Sequence, residues 1–127
     1  MTHLLQVAQH AEDIDRAADF YTSVLGGTFI AKFDPAGLAF VGFDGVRLLL
    51  EQRASSSMIY LGVPDVRETI DRLRADGVVI HTEPHRIHVD SDGAFGEPGW
   101  EEWMAFIRDS EGNLVGLASR HPSAQRP

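Results

Sequence analysis

The feature that most restricts the fold of this chain is that its pattern is written twice. Asp13-Ile14-Asp15-Arg16 and Asp65-Val66-Arg67-Glu68 lie 52 residues apart, and each opens an amphipathic stretch that follows a strand-like run. Self-similarity at a fixed offset marks a repeated structural unit. In the first copy Leu4–His10 reads as a strand and Asp13 as a helix N-cap, whose side chain accepts from a free amide of the first turn. Ile14, Ala17, Ala18, Tyr21, Val24 and Leu25 then form an apolar stripe at helical spacing, which Gly26-Gly27 ends. Three strands follow, Thr28–Phe33, Leu38–Phe43 and Val46–Glu51, joined by the turns Asp34-Pro35-Ala36-Gly37 and Asp44-Gly45.

The second copy repeats the order. Met58–Val63 reads as a strand, and Asp65-x-x-Glu68 resembles a capping box. Val66, Ile70 and Leu73 give the helix its apolar stripe and Gly77 ends it. Val78–His81 begins a strand that Pro84 must interrupt or confine to a sheet edge. After a polar loop, Asp90–Gly99, come a strand at Glu102–Arg108, a turn at Asp109-Ser110-Glu111-Gly112-Asn113, and a last strand at Leu114–Ser119. Two βαβββ repeats, about 4–51 and 58–119, predict one α+β domain over residues 1–127, a half-open, barrel-like mixed sheet with a concave cleft. A ferredoxin-like order, βαββαβ, fits the spacing less well. The end of the chain, with two prolines and two arginines from Ser119, reads as frayed, with 120–127 a flexible tail.

Composition removes several functional classes. With 43% hydrophobic and 24% charged residues the chain buries a core, and the net charge of −8 repels a phosphate backbone. Its lysines and arginines form no basic run, so no nucleic-acid partner is expected. No apolar stretch approaches the roughly 20 residues of a membrane helix, and the start has neither the basic nor the apolar part of a signal peptide. There is no cysteine, which removes disulfides, thiolate metal sites and thiol nucleophiles. The expected location is cytoplasmic.

Two segments carry a family resemblance. Asp13-Ile14-Asp15-Arg16-Ala17-Ala18-Asp19-Phe20-Tyr21-Thr22-Ser23-Val24-Leu25-Gly26-Gly27 and Phe106-Ile107-Arg108-Asp109-Ser110-Glu111-Gly112-Asn113-Leu114 resemble the first-helix and closing signatures of the vicinal-oxygen-chelate superfamily. That superfamily includes glyoxalase I, bleomycin-resistance proteins and extradiol dioxygenases. The resemblance runs from Leu4 to Ser119, and Glu83-Pro84-His85-Arg86-Ile87 with Trp103-Met104-Ala105-Phe106 resembles one branch of it. It implies a cleft for a small molecule, a homodimer and, in the metalloenzymes, four ligands: His or Gln, Glu, His and Glu. Carried over position by position, these fall on Gln6, Glu51, Met58 and Gly116. Gln6 and Glu51 match by type. Met58 offers a soft thioether where a His is expected, and Gly116 offers no donor where a Glu is expected.

The residues themselves leave alternatives open. Strand alternation puts Arg47, Leu49 and Glu51 on one face, and Gln6, Ala8 and His10 on one face of the first strand. Glu51 is the candidate catalytic group, as a general base or a partner of Arg47; a solvated strand end is the plainer role. Gln6 would orient a ligand carbonyl, or be a satisfied amide. His10 sits at a strand end. His81, His85 and His88 with Glu83 match no zinc spacing, and His85 is kept as a ligand-binding candidate. Met58, Tyr60 and Trp103 complete the set, Trp103 as a stacking surface beside the 93–99 loop. The reading that follows is a protein that binds a small organic molecule in its cleft without a tight catalytic metal. The alternative is a lyase, epimerase or dioxygenase using Ni, Co, Mn, Zn or Fe at Gln6 and Glu51, and a bare interaction module is a third.

Overall fold

The computed structural model describes residues 1–123, in two compact units. The first comprises Met1–Ser57 together with Asp109–Asn113. Its elements are β1 (Gln6–His10), α1 (Ile14–Asp19), a π-helical turn (Phe20–Val24), β2 (Thr28–Phe33), β3 (Leu38–Phe43) and β4 (Val46–Glu51). The sheet order is β1-β4-β3-β2, with β1 parallel to β4 and the other pairs antiparallel. Alternation decides which face is covered. Ala39 and Val41 on β3 and Leu48 and Leu50 on β4 are buried, as are Ala17 and Tyr21 of the helical segment. Burying these side chains against one another is the main source of stability in the unit.

Polar groups fix how that helical segment sits. The Asp13 carboxylate accepts from Arg16 N at 3.0 Å, the expected N-cap. At Phe20 the bonding widens, and Leu25 N donates to Phe20 O at 3.1 Å, five residues back. Tyr21, within this wider turn, is fully buried and donates from its hydroxyl to Asp109 Oδ2 at 2.6 Å. Asp109 also accepts from the amides of Glu111 and Asn113 and from Asn113 Nδ2. Burial, with the charge of Asp109, holds the Tyr21 phenol far above its ordinary range. Beside it Glu111 accepts from Arg16 Nε at 2.7 Å, Arg16 Nη2 at 3.0 Å and Asp13 N at 2.8 Å. The closing signature is therefore a turn that ties residues 109–113 to α1.

The second unit comprises Met58–Arg108 and the chain from Leu114 onward. It contains β5 (Ile59–Gly62), α2 (Val66–Ala75), β6 (Ile80–Asp90), β7 (Trp100–Arg108) and β8 (Leu114–Pro122), with sheet order β5-β8-β7-β6. Val66, Ile70 and Leu73 are buried, as are Ala105 and Ile107 of β7 and Val115 and Leu117 of β8. Asp65 caps α2 by accepting from Arg67 N, and Val66 N donates to Ser119 Oγ at 2.9 Å. Both units are βαβββ, the fold is α+β, and neither sheet closes on itself. No helix among the described residues is long and apolar enough to cross a membrane.

The structure decides the course of β6 and corrects the start of the expected tail. β6 runs through Pro84 as an edge strand, and shifts of register at Ile80/Thr82, Thr82/His85 and Arg86/His88 absorb the break in alternation. The expected tail at 120–127 begins too early, because β8 continues to Pro122 and Arg120 Nη2 donates to Asp90 Oδ2 at 2.7 Å. Residues 124–127 lie outside the described residues. Asp90 also accepts from the amides of Ala94 and Phe95, both at 2.9 Å, so it organises the start of the 91–99 loop. These bonds, that of Phe95 first, hold its carboxyl below the usual carboxylate range.

Candidate functional site

The face of the first sheet opposite its buried core residues carries the candidate chemistry. Gln6 is the register partner of Arg47 and His10 of Glu51, so β1 and β4 present these four residues side by side. On β3 the same face carries Leu38, Phe40 and Gly42, which alternate with the buried Ala39 and Val41. The Arg47 guanidinium lies over the Phe40 ring, 5.6 Å from its centroid, and Phe33 meets Phe40 edge-on at 5.9 Å. Arg47 and Glu51 are four residues apart on one strand and form no ion pair, so the expected partnership is replaced by an arginine–aromatic contact. His10 Nδ1 lies 3.0 Å from Gln52 O. Its Nε2 lies 3.7 Å from Glu12 Oε2.

The register also tests whether Gln6 and Glu51 suit one metal ion. Glu51 pairs with His10, four residues beyond Gln6 on β1. That is an offset of about 13 Å along the strand at the usual rise per residue. Two donors on one divalent ion sit within about 4 Å of each other, because each bond is about 2.1 Å long. The two side chains therefore do not fit a common ion. Among the described residues no group of three or more His, Asp or Glu side chains is gathered to hold a metal.

The two remaining positions lie in the second unit. Tyr60 and Gly116 are register partners on β5 and β8, and Phe106 pairs with Gly116 from β7. A Cβ at Gly116 would lie 2.5 Å from Tyr60 Cδ2 and 3.1 Å from Phe106 Cε2. Glycine is required here because the Tyr60 ring occupies the space a side chain would use. Tyr60 meets Phe106 edge-on at 5.9 Å and stays 53% exposed, and Met58, just before β5, is 48% exposed. This sheet face presents an aromatic surface where a carboxylate donor was expected.

Two other candidates are placed apart from it. Trp103, expected on the ligand side, lies on the α2 side with Arg67 over its ring at 5.0 Å. Its indole nitrogen donates to Glu101 Oε1 at 2.8 Å. Trp103 shares a strand face with Ala105 and Ile107, both buried on the α2 side, and this parity explains its placement better than nearness to the 93–99 loop does. His85 is exposed on edge strand β6, its Nδ1 3.0 Å from Glu83 O, and Glu83 is engaged by Arg74. Phe40 and Phe106 were not among the candidate site residues that the sequence singled out. The available signal was parity, since each alternates with fully buried neighbours.

Comparisons with known proteins agree with this architecture. A family model described as the Glyoxalase/Bleomycin resistance protein/Dioxygenase superfamily matches residues 3–117. A probable lactoylglutathione lyase of Vibrio cholerae is 24% identical, covering 90% of this chain and 88% of the relative. Among solved structures, a lactoylglutathione lyase from Agrobacterium tumefaciens superposes with TM-score 0.71 at 22% identity, covering 94% of each chain. An antibiotic binding protein from a Streptomyces species superposes with TM-score 0.67, also at 22% identity, covering 97% of this chain and 98% of that one.

Proposed function

The chain belongs to the glyoxalase/bleomycin resistance protein/dioxygenase superfamily, and from that membership we propose that it binds a small organic molecule on an open sheet face without a tightly held catalytic metal. The observation that carries this reading is the Tyr60 ring packed over Gly116. A position that would supply a carboxylate donor in a metalloenzyme supplies an aromatic surface here. Exposed aromatic rings bind flat apolar molecules by burying surface on both partners. The printed name of the Streptomyces neighbour, an antibiotic binding protein, fits this reading.

The competing reading is a metal-dependent lyase of the kind named for the Vibrio cholerae relative. It would require Gln6 and Glu51 to share an ion across a four-residue offset, with Met58 and Gly116 adding no hard donor.

Thermal unfolding separates the two. A ligand at about 100 times its Kd adds about 2.7 kcal/mol, a shift of several degrees for a domain of this size. Chelator-treated protein is expected to keep its midpoint when Ni²⁺, Co²⁺, Mn²⁺, Zn²⁺ or Fe²⁺ is added, and to shift with a flat aromatic probe such as 2-naphthol. A shift of several degrees with one metal that disappears in Glu51→Ala would overturn the metal-free reading.

A further inference from the structure

We infer that the open face of the first sheet is a subsite for a flat, conjugated carboxylate, held by Arg47 above Phe40. This rests on the proposed small-molecule binding and adds the charge and shape of the ligand.

Two other cations of this unit are already neutralised. Arg16 is held by Glu111, and Lys32 lies 2.6 Å from Asp15 and 3.4 Å from Asp34. Among the described residues Arg47 pairs with no carboxylate; its guanidinium rests on the face of Phe40. An aromatic floor restricts the guanidinium to a plane and leaves its edge donors for a partner lying beside it. Its register partners are Gln6 on β1 and Gly42 on β3. Gln6 carries an amide at the neighbouring register position on β1, and Gly42 adds no side chain above the sheet. A Cβ at Gly42 would meet Ile30 Cδ1 at 3.2 Å, so Ile30 closes that side with apolar surface. Phe33, edge-on to Phe40, extends the floor.

The surface therefore combines one fork of donors, one amide and a patch of aromatic and aliphatic carbon. A carboxylate accepts two parallel hydrogen bonds from such a fork. A conjugated ring attached to it would lie along Phe40, Phe33 and Ile30. The acid on this face, Glu51, is four residues away along β4, a backbone offset of about 13 Å at the usual strand rise, and forms no ion pair with Arg47. In a chain of net charge −8, the charge on this face that favours an anion is assigned to Arg47, which makes the inference testable at one residue.

The test compares 2-naphthoate with 2-naphthamide, which share a ring system and differ in charge, by isothermal titration against the wild type, Arg47→Met and Arg47→Lys. Wild type is expected to bind the acid about ten-fold more tightly than the amide, as one charge-assisted bidentate contact allows. Arg47→Met should lose that preference while keeping its affinity for the amide within about two-fold, and Arg47→Lys should keep part of it. Equal binding of acid and amide by wild type, or an unchanged preference in Arg47→Met, would overturn the inference while leaving small-molecule binding intact. Binding of neither probe by wild type would overturn both.

Discussion

Gly116 shows how a single residue can decide between chemistries. Its backbone would accept a side chain, but the space over it is filled by Tyr60, with Phe106 beside it. A methyl group there must push a ring rather than the loose end of a flexible chain. Gly116→Ala is expected to destabilise the protein by about 1–3 kcal/mol, the usual range for overpacking. Most of that loss should vanish when Tyr60 is also changed to alanine. A double-mutant cycle followed by urea unfolding measures this, and a coupling above about 0.5 kcal/mol is expected for groups in direct contact. Additive effects would mean that the ring does not hold the space. The absence of a donor at Gly116 was readable in the sequence. That an aromatic ring replaces it was not, because it depends on β5, β7 and β8 being neighbours.

At the level of elements, the strands were the most legible part. β3 and β4 match the expected ranges because alternation and flanking turns mark both ends. Register was not legible: nothing in the sequence says that Gln6 pairs with Arg47 and that Glu51 pairs with His10. That one fact separates two donors that family position had joined. The helical stripe through Tyr21 predicted a continuous helix, and the π-helical turn at Phe20–Val24 was missed because the bond from Leu25 N to Phe20 O leaves no mark on residue spacing. The turn matters because it houses the Tyr21 hydroxyl that meets Asp109. Tyr21→Phe is expected to cost about 1–2 kcal/mol, since it removes a hydrogen bond to a charged acceptor and leaves little cavity. The three remaining donors to Asp109 keep that carboxylate from being stranded. Thermal or urea unfolding of the variant reads the loss, and an unchanged midpoint would show that this bond adds nothing to stability.

For the molecule as a whole, the net charge of −8 makes the response to acid a sum over carboxylates, and the placed ones differ sharply. Glu111 is pulled down to about 2, chiefly by its hydrogen bonds from Arg16 and against the opposing effect of burial. Its folded value lies below its ordinary one, so the stabilisation it gives is complete above about pH 4.5 and is lost as pH falls toward 2. Asp90 and Asp65 are shifted in the same direction, so acid weakens the loop after β6 and the start of α2 as well. For Glu111 the contribution is about 2 kcal/mol once the solvent around the half-exposed Arg16 is allowed for. Glu111→Gln is therefore expected to unfold at lower urea than wild type at pH 7, by about that amount. The two curves should converge as pH drops below about 3, where the wild-type carboxylate is itself becoming neutral. Urea midpoints collected from pH 7 to pH 2.5 check this directly. A gap that stays constant with pH would assign the loss to packing or to the neutral hydrogen bond from Asp13 N. Convergence assigns it to the charge that Arg16 and Glu111 share between α1 and the 109–113 turn.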